Sequence, residues 1–402
     1  MEDMLKISPH AKNFRSPIRD MLKVAKELEA RGKEIFYFNI GDPNKFDFDT
    51  PEYLKNELVK AARDKSGYYS TSVGDESLID SIVKRENKKN KTNLTKDDVV
   101  VTDGISEGLI FLFASVLQEK GGEILLAGPA YPPYLQWIRF FGGTAVGYKT
   151  DEKDGWQPDA DDIRKKITDK AELLVVINPN NPTGAVYEKS TLKEVVNIAG
   201  EFKIPLVSDE IYDQLIFGNI EHVGLSSLAK DVPLVGLNGF SKAYLIPGWR
   251  VGYIYFHNPN DELDELKAAV KAEATQRLSA CTPIMKACSK AYAGPQDHIK
   301  EMNKKLKERA EFAFKRFNNM KRISAVKPKG AFYIFPKVDL KGKWKNDEEF
   351  CLDVLKNTGV ILPYGSGFDP VYGKDHFRSV ILPPIEMMKK GFDKLENFMK
   401  KS

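Results

Sequence analysis

The amino-acid sequence predicts an α/β fold, in which a mainly parallel central sheet lies between layers of helices and a smaller α+β domain is built from the two ends of the chain. Two observations predict it. From about residue 98, short apolar runs alternate with amphipathic helical patterns, as expected for parallel strands that are buried on both faces. The chain also has 402 residues, which is more than a single hydrophobic core usually organises.

The alternating part of the chain gives the elements of the predicted sheet. Five short apolar runs are predicted as strands, over residues 99–101, 123–127, 173–177, 204–207 and 232–237. Helices are predicted over 106–117 and 191–202, the second because its apolar side chains recur on one helical face. Short strands separated by helices indicate a sheet that is covered on both sides.

The two ends of the chain show a different pattern. Pro17 starts a helical pattern that closes near Gly32, and a strand-like run follows over 35–40. Near the other end, a long charged helix over 298–320 leads into a strand over 330–335. We therefore predict an N-terminal arm with part of the small domain, a large domain and a small C-terminal domain, over residues 1–49, 50–294 and 295–402.

Composition and charge exclude several classes of protein. The net charge is +4, from 61 basic and 57 acidic residues that are interspersed, whereas a nucleic-acid binder concentrates its basic residues in a patch. The three cysteines show no Cys-x-x-Cys spacing, which argues against a disulfide framework or a zinc site. Residues 1–12 contain no apolar signal-like run, and no apolar run reaches the roughly 18 residues that span a bilayer. We expect a cytoplasmic protein without membrane or nucleic-acid partners and without a metal.

Polar residues collect where the predicted strands end. They lie at residues 103–106, at 178–184, at Asp209 with Tyr212, and at Ser241 with Lys242. In open α/β sheets, ligands bind at the carboxyl ends of the strands. Four polar segments at one end of one sheet therefore predict a polar, anionic ligand.

The segment Gly104-Ile105-Ser106 opens a predicted helix directly after a strand. A helix N-terminus presents free backbone N–H groups and the positive end of its dipole, and both attract phosphate. Gly104 permits close approach and Ser106 adds a hydroxyl donor. The alternative is an ordinary helix cap, which this segment alone does not exclude.

Three charged residues follow buried strands. Asp209 ends an apolar run, where a carboxylate needs a partner; the alternatives are a structural ion pair, a helix N-cap or a protonated ring nitrogen. Lys242 follows an apolar strand, and Arg250 stands eight residues further on. A lysine beside a second cation loses proton affinity and becomes a usable nucleophile. Arg250 could also hold a phosphate in a bidentate contact, and a solvated surface charge is the alternative for either residue.

Together these segments resemble the class I/II aminotransferases of the fold-type-I pyridoxal-phosphate superfamily. The similarity covers nearly the whole chain, and the motifs occur in the family's order. The segments that carry it are Asn39-Ile40-Gly41-Asp42-Pro43, Asn178 to Gly184, Ser208 to Asp213, Phe240-Ser241-Lys242, Pro247 to Gly252 and His376-Phe377-Arg378.

The resemblance implies the roles around the cofactor ring. Lys242 is similar to the Schiff-base lysine that later carries the proton, and Asp209 to the residue that keeps the pyridine nitrogen protonated. Tyr212 and Asn181 match the pair that hydrogen-bonds the ring O3′. Tyr131 lies where the family places an aromatic residue stacked on the ring; many members have Trp there. The implied cofactor is pyridoxal 5′-phosphate, whose ring acts as an electron sink.

The resemblance also implies contacts to the phosphate and to the substrate. The matching phosphate contacts are Gly104, Ile105, Ser106, Ser241 and Arg250. Arg378 matches the clamp on the substrate α-carboxylate, with Gly41 and Asn181 nearby. Tyr69 is similar to a residue donated by the neighbouring subunit, which implies a homodimer with both sites at the subunit boundary.

Within the family the sequence most resembles alanine aminotransferases. The implied reaction is L-alanine plus 2-oxoglutarate giving pyruvate plus L-glutamate, by a ping-pong mechanism. An aspartate aminotransferase and another fold-type-I enzyme such as a C–S lyase are the alternatives. Glutamate needs a cation for its distal carboxylate, and Arg277 is either that cation or a surface residue. A regulator with an aminotransferase-like sensor domain is disfavoured, because no basic DNA-binding footprint is present.

Overall fold

The structure, a computed structural model, describes residues 7–12, 14–117 and 121–401. The first six residues of the predicted N-terminal arm and its residue 13 lie outside the described part. The α-helices are α1 (Pro9–Lys12), α2 (Leu22–Ala30), α3 (Glu52–Arg63), α4 (Glu76–Asn90), α5 (Ile105–Val116), α6 (Pro132–Phe140), α7 (Ala160–Lys166), α8 (Lys189–Phe202), α9 (Asp264–Gln276), α10 (Thr282–Cys288), α11 (Asp297–Asn318), α12 (Asp347–Thr358) and α13 (Ile385–Lys400).

The strands fall into one large sheet and three short pairs. They are β1 (Phe36–Tyr37), β2 (Val99–Thr102), β3 (Glu123–Gly128), β4 (Thr144–Asp151), β5 (Gln157–Pro158), β6 (Ala171–Ile177), β7 (Leu206–Asp209), β8 (Leu234–Gly239), β9 (Gly252–His257), β10 (Ile323–Ser324), β11 (Tyr333–Ile334), β12 (Lys337–Val338), β13 (Val360–Ile361) and β14 (Ser379–Val380). The large sheet has the order β2-β9-β8-β7-β6-β3-β4-β5.

The large sheet is mainly parallel, which confirms the predicted fold class. The pairs from β8 across β7, β6 and β3 to β4 are parallel, whereas β9 runs antiparallel between β2 and β8. Sequence analysis missed β4 and β9. Gly239 at the end of β8 pairs with Gly252 at the start of β9, so the intervening loop, which carries Lys242 and Arg250, is closed at its base.

The faces of this sheet bury different hydrophobic clusters. Along β6, Leu174 and Val176 belong to one cluster, whereas Leu173 and Val175 belong to another. Successive side chains of a strand point to opposite faces, so this alternation shows that both faces are covered. The near-continuous apolar runs of the sequence predicted such burial.

A third hydrophobic cluster draws mainly on the two ends of the chain. It includes Phe36, Phe38, Leu306 of α11 and Phe392 of α13, and the rings of Phe38 and Phe392 lie 5.3 Å apart. Because β1 pairs with β13 in this region, the N-terminal segment and the C-terminal residues share one core. The domain boundaries at residues 49/50 and 294/295 stay predictions.

The terminal elements correct three sequence expectations. The strand expected over 35–40 is only Phe36–Tyr37, because the next carbonyls bond elsewhere: Phe38 accepts the N–H of Val380. The strand expected over 330–335 is only Tyr333–Ile334. The helix expected from Pro17 begins at Leu22, since the preceding residues form turns. In the described part of the chain, no helix is long and apolar enough to cross a membrane.

Candidate active site

A cavity of about 640 Å³ lies at the carboxyl ends of the parallel strands. It collects most of the residues that the sequence singled out, although they come from distant parts of the chain. The predicted residues that line it are Gly41, Ile105, Ser106, Tyr131, Asn181, Asp209, Tyr212, Ser241, Lys242, Arg250 and Arg378. The sheet thus brings the predicted polar segments to one place.

The anion-binding end of the cavity is built at the start of α5. Gly104 caps this helix with a φ of +74°, and a side chain there would collide with the guanidinium of Arg250. Arg250 is anchored by two backbone carbonyls, those of Pro247 at 2.8 Å and Asp103 at 3.2 Å. Since Ser106 lies in the first turn of α5, backbone N–H groups, a hydroxyl and a fixed cation meet at this end.

Lys242 lies inside the cavity with its ammonium 3.0 Å from the carbonyl of Gly41, to which it donates. Burial lowers the pKa of Lys242 to about 8; the nearby Asp42 opposes this shift, whereas Arg250 and Arg378 add to it. The sequence argument attributed the weakened proton affinity to the second cation, but desolvation is the larger cause. A usable fraction of Lys242 is therefore neutral near pH 7 to 8.

Asp209 ends β7 in a buried position, with 4% of its surface exposed. Its carboxylate accepts hydrogen bonds from the hydroxyl of Tyr134 at 2.8 Å and from the N–H of Ile211 at 3.2 Å. Burial raises the pKa of Asp209 to about 6. Among the described residues no cation pairs with this carboxylate, so the structural ion pair considered from the sequence is not found.

Arg378 is fully buried and also lacks a carboxylate partner within the described chain. Its guanidinium donates to the side-chain oxygen of Asn181 at 3.0 Å and to the carbonyl of Asn39, while its Nε has no hydrogen-bond partner. Its guanidinium stacks over the ring of Tyr333 at 4.5 Å. Burial lowers the pKa of Arg378. A buried cation of this kind is suited to a ligand carboxylate.

Two tyrosine hydroxyls meet at the wall of the cavity. Tyr212 and Tyr333 lie 2.8 Å apart, oxygen to oxygen. Burial raises the pKa of Tyr212 well above its ordinary value and that of Tyr333 to about 12, so both hydroxyls keep their protons and can donate. Tyr131 is half-buried at the start of α6.

Comparison with known proteins agrees with this geometry. A family profile described as "Aminotransferase class I and II" matches residues 33–394. The chain belongs to this family. It is therefore a transaminase that depends on pyridoxal phosphate, as the sequence predicted.

The relatives cover nearly the whole chain. Glutamate-pyruvate aminotransferase AlaA of Escherichia coli (strain K12) is 34% identical over 391 residues, which are 96% of this chain and 95% of that protein. Alanine aminotransferase of Mycobacterium tuberculosis (strain H37Rv) is 35% identical over 381 residues, 93% and 88% of the two chains. The solved structure of alanine aminotransferase from Pyrococcus furiosus is 48% identical with a TM-score of 0.96, covering 99% and 100%.

The residues of the cavity fit pyridoxal phosphate. The start of α5 with Arg250 suits the phosphate, and the uncompensated carboxylate of Asp209 suits a protonated ring nitrogen. Lys242 supplies the amine that would hold the cofactor. The orphaned Nε of Arg378 suits a carboxylate of the amino-acid substrate.

Three residues singled out by sequence are not part of the lining of this cavity: Gly104, which caps α5 beside it, Tyr69 and Arg277. Tyr69 is 78% exposed and does not line the cavity, so its role at the partner subunit's site stays a prediction. Arg277 pairs with Glu107 at 2.8 Å and donates to the carbonyls of Val101 and Ser72. These contacts, and the place of Arg277 outside the cavity, favour a residue that packs within its own chain over a substrate contact.

The cavity also contains cations that sequence analysis missed. Arg15 and Arg19 line it from the N-terminal arm, which is held to α6 by Phe14, whose ring lies 5.2 Å from that of Trp137. No salt bridge of either guanidinium is found within the described residues. Tyr134, which donates to Asp209, and Tyr333, which contacts Tyr212, were also missed as site residues. No sequence motif marks Arg15 and Arg19, because only the folded chain places them at the cavity.

Proposed function

We propose that this aminotransferase transfers the amino group of L-alanine to 2-oxoglutarate, giving pyruvate and L-glutamate by a ping-pong mechanism. The observation that carries the proposal is a buried Arg378 without a carboxylate partner, in the same cavity as the half-buried Lys242. The named relatives act on alanine or on glutamate and pyruvate, which supports the choice of substrates.

The roles of the chain's residues follow from the environment of each one. Lys242, with its lowered pKa of about 8, would hold the cofactor and then move a proton between the substrate Cα and the cofactor C4′ as base and acid. When bound, pyridoxal phosphate supplies an electron sink for the pair left on Cα. Asp209 would hold a proton on the ring nitrogen, since its carboxylate has no other cation.

The remaining contacts position the cofactor. Tyr212 and Asn181 would donate to the ring O3′; the side-chain oxygen of Asn181 already accepts from Arg378, which leaves its amide nitrogen as the donor. Tyr131 would stack on the ring. The proposed phosphate contacts are Gly104, Ile105, Ser106, Ser241 and Arg250.

The substrate's carboxylates would meet different cations. Arg378 would bind the α-carboxylate, beside Gly41 and Asn181. The distal carboxylate of glutamate or 2-oxoglutarate would meet Arg15 or Arg19 at the cavity wall, in place of Arg277. Alanine has no distal carboxylate, so these arginines would affect the two half-reactions differently.

A homodimer would complete the site. The exposed ring of Tyr69 cannot line the cavity of its own chain and is proposed to reach that of a second copy. The cytoplasmic location also stays a prediction.

Side-by-side measurements of kcat/KM for alanine and aspartate, with 2-oxoglutarate as acceptor, test the proposed substrate. Alanine is expected to be preferred, and a preference for aspartate would favour the alternative of an aspartate aminotransferase. Omitting the acceptor tests the lyase alternative. Sustained 2-oxo acid production without it would contradict a transaminase.

A further inference from the structure

A second group of buried charges lies behind the cavity, and the proposed reaction does not use it. This rear cluster consists of Arg85, Glu86, Lys89, Glu210 and Asp213. Its three acidic side chains are each at most 3% exposed. Arg85 and Lys89 come from α4, whereas Glu210 and Asp213 follow β7.

Every member of the rear cluster has an ionic partner. Arg85 contacts Asp213 and Glu86, and Lys89 contacts Glu210 and lies 2.8 Å from Asp213. Neutral groups complete the network: Tyr253 donates to Glu86 at 2.6 Å, and Ser208 donates to Glu210 at 2.8 Å.

A metal ion is not needed here. Carboxylate oxygens of Glu210 and Asp213 and a ring nitrogen of His222 all lie within 4.8 Å of one another, a spacing that could suit a cation. The ammonium of Lys89 contacts both carboxylates and already supplies the positive charge. The rear cluster is therefore an ion-pair network and not a metal centre.

The cluster is joined to three segments that carry cavity residues. Glu210 and Asp213 alternate along the chain with Asp209 and Tyr212, which face the cavity. Asn238, four residues before Lys242, donates to Asp213 at 3.1 Å.

The third link runs to the loop that carries Asn181. His222, beside the two carboxylates, donates to the carbonyl of Asn178 at 3.1 Å. The segments that carry Asp209, Lys242 and Asn181 therefore contact one shared group of charged and polar side chains.

We propose that the rear cluster is a positioning site for the aminotransferase reaction, in which Lys89 balances Glu210 so that the neighbouring Asp209 keeps its negative charge. Glu210 is adjacent to Asp209 and raises its pKa. Without a cation behind it, the Glu210 carboxylate would favour a protonated Asp209, which cannot hold a proton on the ring nitrogen. Lys89 lowers the pKa of Glu210 and so keeps this pair in its ionic form.

The inference rests on the proposed function, and it is tested in the holoenzyme by titrating the visible absorbance of bound pyridoxal phosphate against pH. Lys89→Met removes a positive charge, which raises the proton affinity of the titrating groups around it. The midpoint of the absorbance titration is therefore expected to rise by roughly half a pH unit. Glu210→Gln removes an anion and is expected to lower the midpoint. The double variant removes both charges and should restore the wild-type midpoint. A midpoint shift caused by a general loss of packing would persist in the double variant.

Lys267→Met is the matched control. Its side chain is 17% exposed, against 21% for Lys89, and pairs with Asp98 at 3.2 Å. Asp98 precedes β2, at the end of the sheet opposite the cavity, so the midpoint should not move.

The outcomes separate the inference from the proposed function. A wild-type protein without a pH-dependent cofactor band would contradict the proposed function itself. A normal wild-type titration, with Lys89→Met indistinguishable from Lys267→Met, would overturn the positioning role. If Lys89→Met does not fold, the near-isosteric Glu210→Gln decides alone: an unchanged midpoint rejects the inference.

Discussion

Two groups of buried charges in this aminotransferase lie on opposite sides of the segment from Asp209 to Asp213. In the cavity, Lys242, Asp209 and Arg378 have no ionic partner among the described residues, and burial shifts the pKa of each towards its neutral form. In the rear cluster, each charge meets an opposite charge, and the pKa of Asp213 is held far below its ordinary range by Arg85 and Lys89.

The difference teaches how to separate a ligand site from a structural network. Burying a charge is unfavourable unless it is paired. The uncompensated charges that meet in this cavity therefore fit a ligand of opposite charge, whereas the fully paired charges of the rear cluster indicate a role in holding the protein. Removing a charge should have opposite consequences for stability in the two groups.

The largest expected effect is the loss of activity on replacing Lys242. In Lys242→Ala the transaminase rate should fall by roughly 10⁴-fold or more, because both the amine that holds the cofactor and the proton carrier are lost. The pH-dependent absorbance of the cofactor should also disappear. Lys300→Ala, at a side chain that is 81% exposed, serves as the control and should retain wild-type activity.

Arg85→Gln should lower the free energy of unfolding by about 3–5 kcal/mol, since it removes one of the two cations that balance three buried carboxylates. Urea unfolding of the apoenzyme measures this effect. A loss below about 1 kcal/mol would mean that pairing does not distinguish the rear cluster from the cavity.

Asp209→Asn should change how stability depends on pH. A carboxyl whose pKa rises from 3.8 to about 6 on folding stays protonated in the folded state after the unfolded state has released its proton. Its contribution to the stability of the apoenzyme is therefore full below pH 4 and falls by about 3 kcal/mol as the pH rises to above 6. Asp209→Asn has no titrating carboxyl at this position. The free energy of unfolding of both proteins is measured at pH 4 and at pH 7, and the extra loss in the wild type between these pH values gives the contribution of Asp209. Parallel curves would contradict the uncompensated burial of Asp209.

Arg378→Gln should lower kcat/KM for alanine by roughly 100-fold, through the loss of a charge-assisted contact to the α-carboxylate. Unlike Arg85→Gln, the same chemical change here should leave the stability of the apoenzyme unchanged or higher. Steady-state kinetics and urea unfolding on one preparation test both halves. Destabilisation equal to that of Arg85→Gln would remove the distinction between the two groups.

The smallest expected effect is at the cavity wall. Arg19→Gln should raise the KM for glutamate about threefold, as expected for an exposed ion pair, and leave the KM for alanine unchanged. Arg277→Gln is the comparison, and it should not discriminate between the two substrates. Equal changes for glutamate and alanine would argue against a distal-carboxylate contact at Arg19.

Much of the site could be predicted because its residues follow strands or open helices. The segments around Gly104, Asp209 and Lys242 each lie at a strand end that the apolar runs marked, and the parallel sheet then brought those ends together. Strand ends were less well predicted at the chain termini. There the two-residue strands depend on partners far away in sequence, as Phe36 does on Val360.

The sequence by itself determined the α/β class, the family and most of the predicted residues that line the cavity, because local patterns and ordered motifs encode them. Only the tertiary structure decided which buried charges are paired. Asp209 meets Tyr134 across 75 residues, and Arg85 meets Asp213 across 128. The energy of a buried charge depends on neighbours that only the folded chain brings within a few ångströms, which is why Arg277 changed from a candidate substrate contact to a paired residue.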